Sequence, residues 1–508
     1  MVALPKNILA TISSNDVSAS DRINRTLTPE IVIALCGPLG TPLHSVAKHF
    51  ADHLTGQEFK YDKAEIIRLS DIIRNLSGLG ANASIEELIE AGNQLRQDND
   101  GAVLIQHAIQ QITLARQKDT QKQSQSDDGD AVRPTPTVRV CHIIDSIKNI
   151  DELKLLRSVY GDMLHVVGVY SPIDLRISYL GNKISKPEDL HRLINRDSGE
   201  EIDTGQRVQE TFPLADFFLR TDTGTDSQLA SRVKRFLDLM LGTKIITPTV
   251  AERAMYAAHS AARNSACLSR QVGAAITSEN GEIIATGWND VPKAFGGLYE
   301  MFDISTTADH DHRCYNKDGG KCFNDEEKDI LSNAVIEKLA QAGVVDRQKI
   351  PQALDVIRHD SQLKNLIEFS RAVHAEMHAL LNAGASHGSK IRNGKLFVTT
   401  YPCHSCARHI IASGIKEVYF VEPYRKSLAT RLHSDAITEQ ESTSDKVKII
   451  PFDGVAPSRF LKFFGGEDRK DRHTGKMKER FAHPVTSITL EAIQTLEGIA
   501  VRDLLPKK

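Results

Sequence analysis

Residues 371–406 read RAVHAEMHALLNAGASHGSKIRNGKLFVTTYPCHSC, and this stretch decides the architecture of the second half of the chain. From Arg371 to Ala383 small and apolar residues recur at helical spacing, with Gly384 the expected stop. Leu396–Thr400 is rich in aromatic and β-branched residues, so a strand is expected there. Cys403 to Gly414 reads as a second helix, and Glu417 to Pro423 as a second strand. Helix, strand, helix, strand is the rhythm of a parallel sheet with helices packed on its faces. His374 sits near the start of one helix, and Cys403 and Cys406 open the next, just after a strand. Both clusters therefore come to the same end of the sheet, where ligands gather in α/β folds.

Upstream, TVAERAMYAAHSAARNSAC (249–267) is Ala-rich and helical, with Thr249 as N-cap. VGAAITS and EIIATGWN follow as strands, joined by the tight-turn signal Glu279-Asn280-Gly281. These elements predict a three-layer α/β/α domain over 247–470, interrupted by a polar insertion at 293–370, with a C-terminal extension at 471–508. Further upstream, PEIVIALCG places a buried-type strand at Ile31–Leu35, broken at Gly37–Gly40 and followed by a helix through Leu54. VRVCHIID, ending at Asp145, and LHVVGVY, ending at Tyr170, repeat the strand pattern with helical stretches between. An α/β domain with an open parallel sheet is expected over 29–245, preceded by a flexible tail at 1–28. Low-complexity polar sequence marks 117–137 as a mobile loop.

The 508 residues are 40% hydrophobic and 25% charged, enough to bury sizeable cores in two or three domains. A net charge of -3 excludes an overall basic field for gripping a nucleic-acid backbone and favours a small-molecule substrate. Seven sparse cysteines without an export signal read as thiols or metal ligands, not as a disulfide framework. No apolar run long enough for a membrane span occurs, and a cytoplasmic location is expected.

The chemistry lies in His374-Ala375-Glu376 and Pro402-Cys403-His404-Ser405-Cys406. One His and two Cys at C-x-x-C spacing supply three ligands to Zn²⁺ and leave the fourth position open, as a catalytic site requires; a structural zinc more often has four protein ligands. Glu376 is close enough to serve a water there as proton shuttle without binding the metal. This is the H-x-E…P-C-x-x-C signature of the zinc deaminases.

From Thr247 to about Phe464 the chain resembles the deoxycytidylate deaminases, through LSRQVGAAI (268–276), GWNDVP (287–292), HAE, PCHSC and EPYRKSLATRLHSD (422–435). The resemblance implies that Asn289 binds the deoxyribose 3′-hydroxyl, that Arg408 and Tyr424 contact the nucleotide, and that the protein is a homo-oligomer. A turn-capping role is the other reading of Asn289. The insertion carries His310, His312, Cys314 and Cys322, four potential ligands for a closed second metal site.

In the first domain, Gly37–Ser45 (GPLGTPLHS) follows a buried strand and looks like a P-loop, whose amides cradle phosphates. Pro42 and Leu43 occupy the places of the second glycine and the lysine. Ser45 supplies a hydroxyl one residue late, and Asp145 resembles a Walker B acid. With GNQLR (92–96), these residues resemble a P-loop nucleoside-phosphate kinase with a damaged phosphate grip. Gly37, Gly40, Ser45 and Asp145 are thus candidates for binding a nucleotide effector. A kinase-like domain before a deaminase resembles the bacterial anti-phage deoxycytidylate deaminases. That resemblance implies depletion of dCMP or dCTP during infection and, in some systems, restraint by a small RNA. Two other readings are a polynucleotide base deaminase and a nucleotide-gated or RNA-regulated effector with a relic deaminase. One Trp, 6% aromatics and the near-neutral charge oppose the first. The full set of catalytic residue types opposes the second.

Overall fold

The structure is a computed structural model that describes residues 27–124, 138–181, 208–221, 226–301, 311–317, 319–423, 427–465, 469–482 and 488–504. The chain forms two compact units, Met1–Thr247 with Asp453–Lys508, and Pro248–Phe452. Among the described residues, no helix is long and apolar enough to cross a membrane.

The first unit is built on parallel strands β1 (Ile31–Cys36), β2 (Lys63–Arg68), β3 (Val140–Ile147), β4 (Leu164–Tyr170) and β5 (Phe217–Arg220), in the order β5-β4-β1-β3-β2. All six residues of β1 are buried, as a central parallel strand covered on both faces demands. Its helices are α1 (Leu43–Thr55), α2 (Leu69–Ser77), α3 (Ile85–Asp98), α4 (Val103–Ser124), α5 (Ile150–Tyr160), α6 (Ile173–Gly181) and α7 (Asp226–Met240). Phe50 of α1 and Phe236 of α7 meet edge to face at 5.9 Å in the core.

Three sequence expectations change here. The C-terminal boundary of the deaminase-like segment lies at 452/453, not 470. Gly454–Val455 pair antiparallel with β5, and Arg459 Nε binds Asp216 at 2.5 Å, so this stretch belongs to the first unit. Residues 117–124 continue α4 instead of opening a loop, while 125–137 lie outside the described residues. The expected tail at 1–28 lies outside them too, except that Leu27 bridges Thr489 and Thr28 is buried.

The second unit opens with α8 (Val250–Ala262), capped by Thr249 and Glu252 in a reciprocal capping box. It continues through β6 (Gly273–Thr277), β7 (Ile283–Trp288), α9 (Phe323–Gln341), α10 (Ala375–Ile391), β8 (Lys395–Thr400), α11 (His404–Ser413), β9 (Glu417–Glu422), β10 (Ile437–Thr438) and β11 (Val447–Pro451). The sheet order is β10-β11-β9-β8-β6-β7, parallel from β10 to β8, with β6 and β7 forming an antiparallel hairpin. Two glycines show how it is layered. A Cβ on Gly273 would meet the Ala258 carbonyl of α8 at 1.9 Å, and one on Gly287 would meet the Ala379 amide of α10 at 2.3 Å. Gly287 pairs with Ala274, the neighbour of Gly273, so the two helices cover opposite faces. α10 runs past Gly384 to Ile391, bent at His387, because alanine-rich sequence on either side keeps the turn helical. The insertion expected as polar loop contains α9, whose Ile336 is buried.

Candidate functional site

Two helix N-termini of the second unit carry the site. His374 has extended backbone (ψ 154°) and stands as N-cap of α10. Cys403 is the N-cap of α11, immediately past β8, and its Sγ accepts the Cys406 amide at 3.4 Å. His374 Nδ1 lies 3.3 Å from Cys403 Sγ and 3.4 Å from Cys406 Sγ. Among the described residues, these three form the one group of three or more His, Cys, Asp or Glu whose ligand atoms all lie within 4.8 Å of one another. That donor set, two thiols and an imidazole, fits a tetrahedral ion with one position left over.

Glu376 follows His374 by two residues and is 4% exposed. Burial, reinforced by the neighbouring Cys403 charge, pushes its carboxyl up to about 7, so it exchanges a proton near neutrality. The hydrogen bond to Cys403 raises His374 to about 9. Cys403 is lowered to about 4 by hydrogen bonds from Cys406 and His374, and its negative charge helps push Cys406 up. This charge balance of imidazolium, thiolate and thiol is the one a bound dication would rearrange.

Asn289 is 7% exposed at the end of β7. Its Oδ1 accepts the Val272 amide at 2.7 Å and its Nδ2 donates to the Arg270 carbonyl at 2.9 Å, so the side chain fixes the lead-in to β6. Arg408 is exposed on α11, and Tyr424 lies outside the described residues. The sequence reading missed Asp290, which is 1% exposed and pairs as a bridge with Val373, the residue before His374. Its carboxylate accepts the Ala266 and Val291 amides and faces Arg313 Nη1 at 3.6 Å. Arg313 in turn grips Asp311, whose carboxyl is lowered to about 2 mainly by that hydrogen bond. The insertion thereby braces the backbone that carries His374. The one available signal was Asp290 itself, an acid beside Asn289 in an otherwise apolar strand end.

Of the suggested second metal cluster, His312, Cys314 and Cys322 do not form a group whose ligand atoms all lie within 4.8 Å of one another. His312 is exposed, Cys314 Sγ lies 4.0 Å from Arg371 Nη1, and Cys322 Sγ lies 3.5 Å from Ser269 Oγ; His310 is outside the described residues. Burial, with the nearby Cys267 and Cys322 thiols adding to it, raises the Cys314 thiol, while the Arg371 guanidinium opposes the shift.

In the first unit, Gly37–Pro42 links β1 to α1, and Gly40 takes a left-handed φ of +85°. Ser45 lies in the first turn of α1, its amide bonded to the Pro42 carbonyl at 3.1 Å. Asp145, near the end of β3, faces His44 Nδ1 at 3.4 Å and Arg68 Nε at 3.7 Å. Burial raises its carboxyl despite the neighbouring Arg68 guanidinium.

Residues 248–422 match the family described as cytidine and deoxycytidylate deaminase zinc-binding region. The deoxycytidylate deaminase of Enterobacteria phage T4 is 31% identical over 170 residues, 34% of this chain and 76% of that protein. The deoxycytidylate deaminase of Mus musculus is 31% identical over 103 residues, 20% of this chain and 49% of that protein. A crystal structure of dCMP deaminase from the cyanophage S-TIM5 with dCMP and dUMP is 21% identical, covering 41% of this chain and 99% of that one at a TM-score of 0.24.

Proposed function

Since this chain belongs to the cytidine and deoxycytidylate deaminase family, we propose that its second unit hydrolyses the exocyclic amine of a free deoxycytidine nucleotide, dCMP or dCTP, with Zn²⁺ held by His374, Cys403 and Cys406. The observation that carries this reading is the convergence of those three ligand atoms with the buried Glu376 two residues from the imidazole. Zinc in such a site supplies Lewis-acid activation of water at neutral pH. Glu376 takes the proton from the attacking water and passes it to the ring nitrogen. Water adds at the amine-bearing carbon, Glu376 relays a second proton to the amine, and ammonia leaves. The keto product is dUMP or dUTP.

Asn289 orders the backbone around Arg270 and Val272, and its amide has a further donor and acceptor for the sugar 3′-hydroxyl. Arg408 and Tyr424 are assigned to the rest of the nucleotide. The first unit serves as a degenerate P-loop nucleoside-phosphate kinase-like sensor, taking a nucleotide effector at Gly37, Gly40, Ser45 and Asp145. Support for this comes from a glycine loop and an acid at the C-terminal edge of a parallel sheet. The biological role we assign is depletion of deoxycytidine nucleotides in anti-phage defence, by a cytoplasmic homo-oligomer that a small RNA can restrain.

Ammonia release from the purified protein with dCMP, dCTP, CMP or a deoxycytidine oligonucleotide tests the substrate class. Turnover of dCMP or dCTP, with none of the oligonucleotide, is expected. Turnover of the oligonucleotide alone would replace this reading with polynucleotide editing.

A further inference from the structure

The loop Gly37–Pro42 lacks a lysine, yet a lysine reaches it from a neighbouring strand. Lys148, one residue beyond β3, donates from Nζ to the Gly37 carbonyl at 2.8 Å and is only 7% exposed. A buried ammonium is costly and is kept only where something holds it. Here both ends are held. The Lys148 amide donates to Glu152 Oε2 at 2.8 Å, and the Asn149 amide donates to the same oxygen at 3.1 Å. Glu152, fully buried, is fixed in turn by Arg96, whose Nε and Nη2 reach its other oxygen at 3.1 and 2.7 Å. The charge is therefore aimed at the loop by a chain of contacts running from α3 through α5.

The strand end beside it is unusual. Leu35 pairs with Asp145 and Cys36 with Ile147, so Ser146 bulges out of the ladder, with a left-handed φ of +81° for a non-glycine residue. Such backbone persists where the surroundings over-determine it, often at functional sites. Within the loop, Thr41 is 8% exposed, and its Oγ1 is buried without a hydrogen-bond partner among the described residues. Buried hydroxyls are nearly always satisfied, so this one points to an absent partner. Arg68 and His44 stand around Asp145 at the same sheet edge, and the Lys148 charge also acts on that carboxylate.

We propose that Lys148 replaces the missing loop lysine, so that Lys148 and Thr41, at the N-terminus of α1, bind the phosphates of a polyphosphate-bearing ligand. The inference rests on the reading of the first unit as a nucleotide site and adds the residue that supplies its charge. A nucleoside triphosphate and a free polyphosphate share the chemistry.

The test is calorimetric titration of the full-length, zinc-loaded protein with ATP and with inorganic tripolyphosphate, alongside thermal unfolding. The parent binds ATP, Lys148→Met weakens binding about tenfold or more, and Lys148→Arg restores most of it. Thr41→Val weakens binding severalfold at an unchanged unfolding temperature, because its hydroxyl has no bond among the described residues to lose. That second variant keeps the test sharp if Lys148→Met does not fold. ATP bound more tightly than tripolyphosphate supports the site and makes it a nucleotide site; equal affinity supports it as a polyphosphate site. Parental ATP affinity in both Thr41→Val and a folded Lys148→Met would overturn the role of these residues while leaving nucleotide binding standing. A parent that binds neither ligand would overturn both.

Discussion

His374 Nδ1 and Cys403 Sγ lie 3.3 Å apart although 29 residues separate them in sequence. Each is the N-cap of its helix, so the backbone that starts α10 and α11 also sets the spacing of the ligands. Metal-ligand distances of about 2.0–2.3 Å then require only small side-chain adjustment.

Removing one of the three donors should therefore empty the site. Cys406→Ala is expected to lose essentially all protein-bound zinc and all deamination, as metal analysis beside an ammonia assay would record. A fully active Cys406→Ala enzyme would rule out the assigned ligand set.

Glu376→Gln is expected to behave differently. It keeps the buried volume and the three ligands, so zinc content should match the parent. Turnover should fall by about 10²–10⁴-fold or more, since a proton relay used at successive steps is gone. Zinc lost together with activity would instead make Glu376 a ligand.

The first unit has its own weak point at Glu497, which is fully buried against Arg116, with Nη1 to Oε2 at 2.5 Å and Tyr160 Oη donating at 3.0 Å. Arg116 is also bound to Glu30 at 2.8 Å. Glu497→Ala leaves a buried guanidinium only partly compensated and should cost about 3–5 kcal/mol. Denaturant unfolding followed on the first unit checks this; a change under 1 kcal/mol would mean that water or rearrangement compensates the pair.

Acid should weaken the same unit. Burial holds His165 down at about 4, below its ordinary 6.5, with Asp216 pulling the other way. The unfolded chain therefore binds more protons than the folded one between pH 6.5 and 4. The contribution is complete above 6.5, falls as pH drops through that window, and amounts to about 3 kcal/mol. Below about 4.5 Glu30 adds to the loss: burial pushes its carboxyl up, but hydrogen bonds from His142 and Arg116 outweigh that and hold it at about 2. His165→Asn should flatten the stability profile between pH 6.5 and 4.5; an unchanged slope there would discard the assignment.

Legibility in the sequence followed burial. β1, β3 and β4 are central and almost wholly buried, and their apolar runs stand out. β2, KAEIIR at the sheet edge, is mostly half-buried and mixes charge with apolar residues, and β5 spans only Phe217–Arg220; neither leaves a pattern to read. The ligand trio was readable because helix starts and short-range spacing fix it. The Asp290–Arg313 brace was not, since it joins residues from different segments through side chains alone. The second crossing between units depends on the two-residue strand Gly454–Val455 and on Glu497, too little sequence to signal a boundary.

A unit interrupted by another also has a history. A ribosome finishes Pro248–Phe452 before it makes Gly454–Val455 or the helix Leu490–Ala500, and so before Arg116 meets Glu497. Domains tend to fold as they emerge, but this first unit must wait for Gly454–Val455 and Glu497. Until then its sheet has an open edge at β5 and a guanidinium lacking one of its two carboxylates. Translation stopped shortly after Phe452 would release the residues of a whole catalytic half joined to an unfinished companion, a natural substrate for proteases.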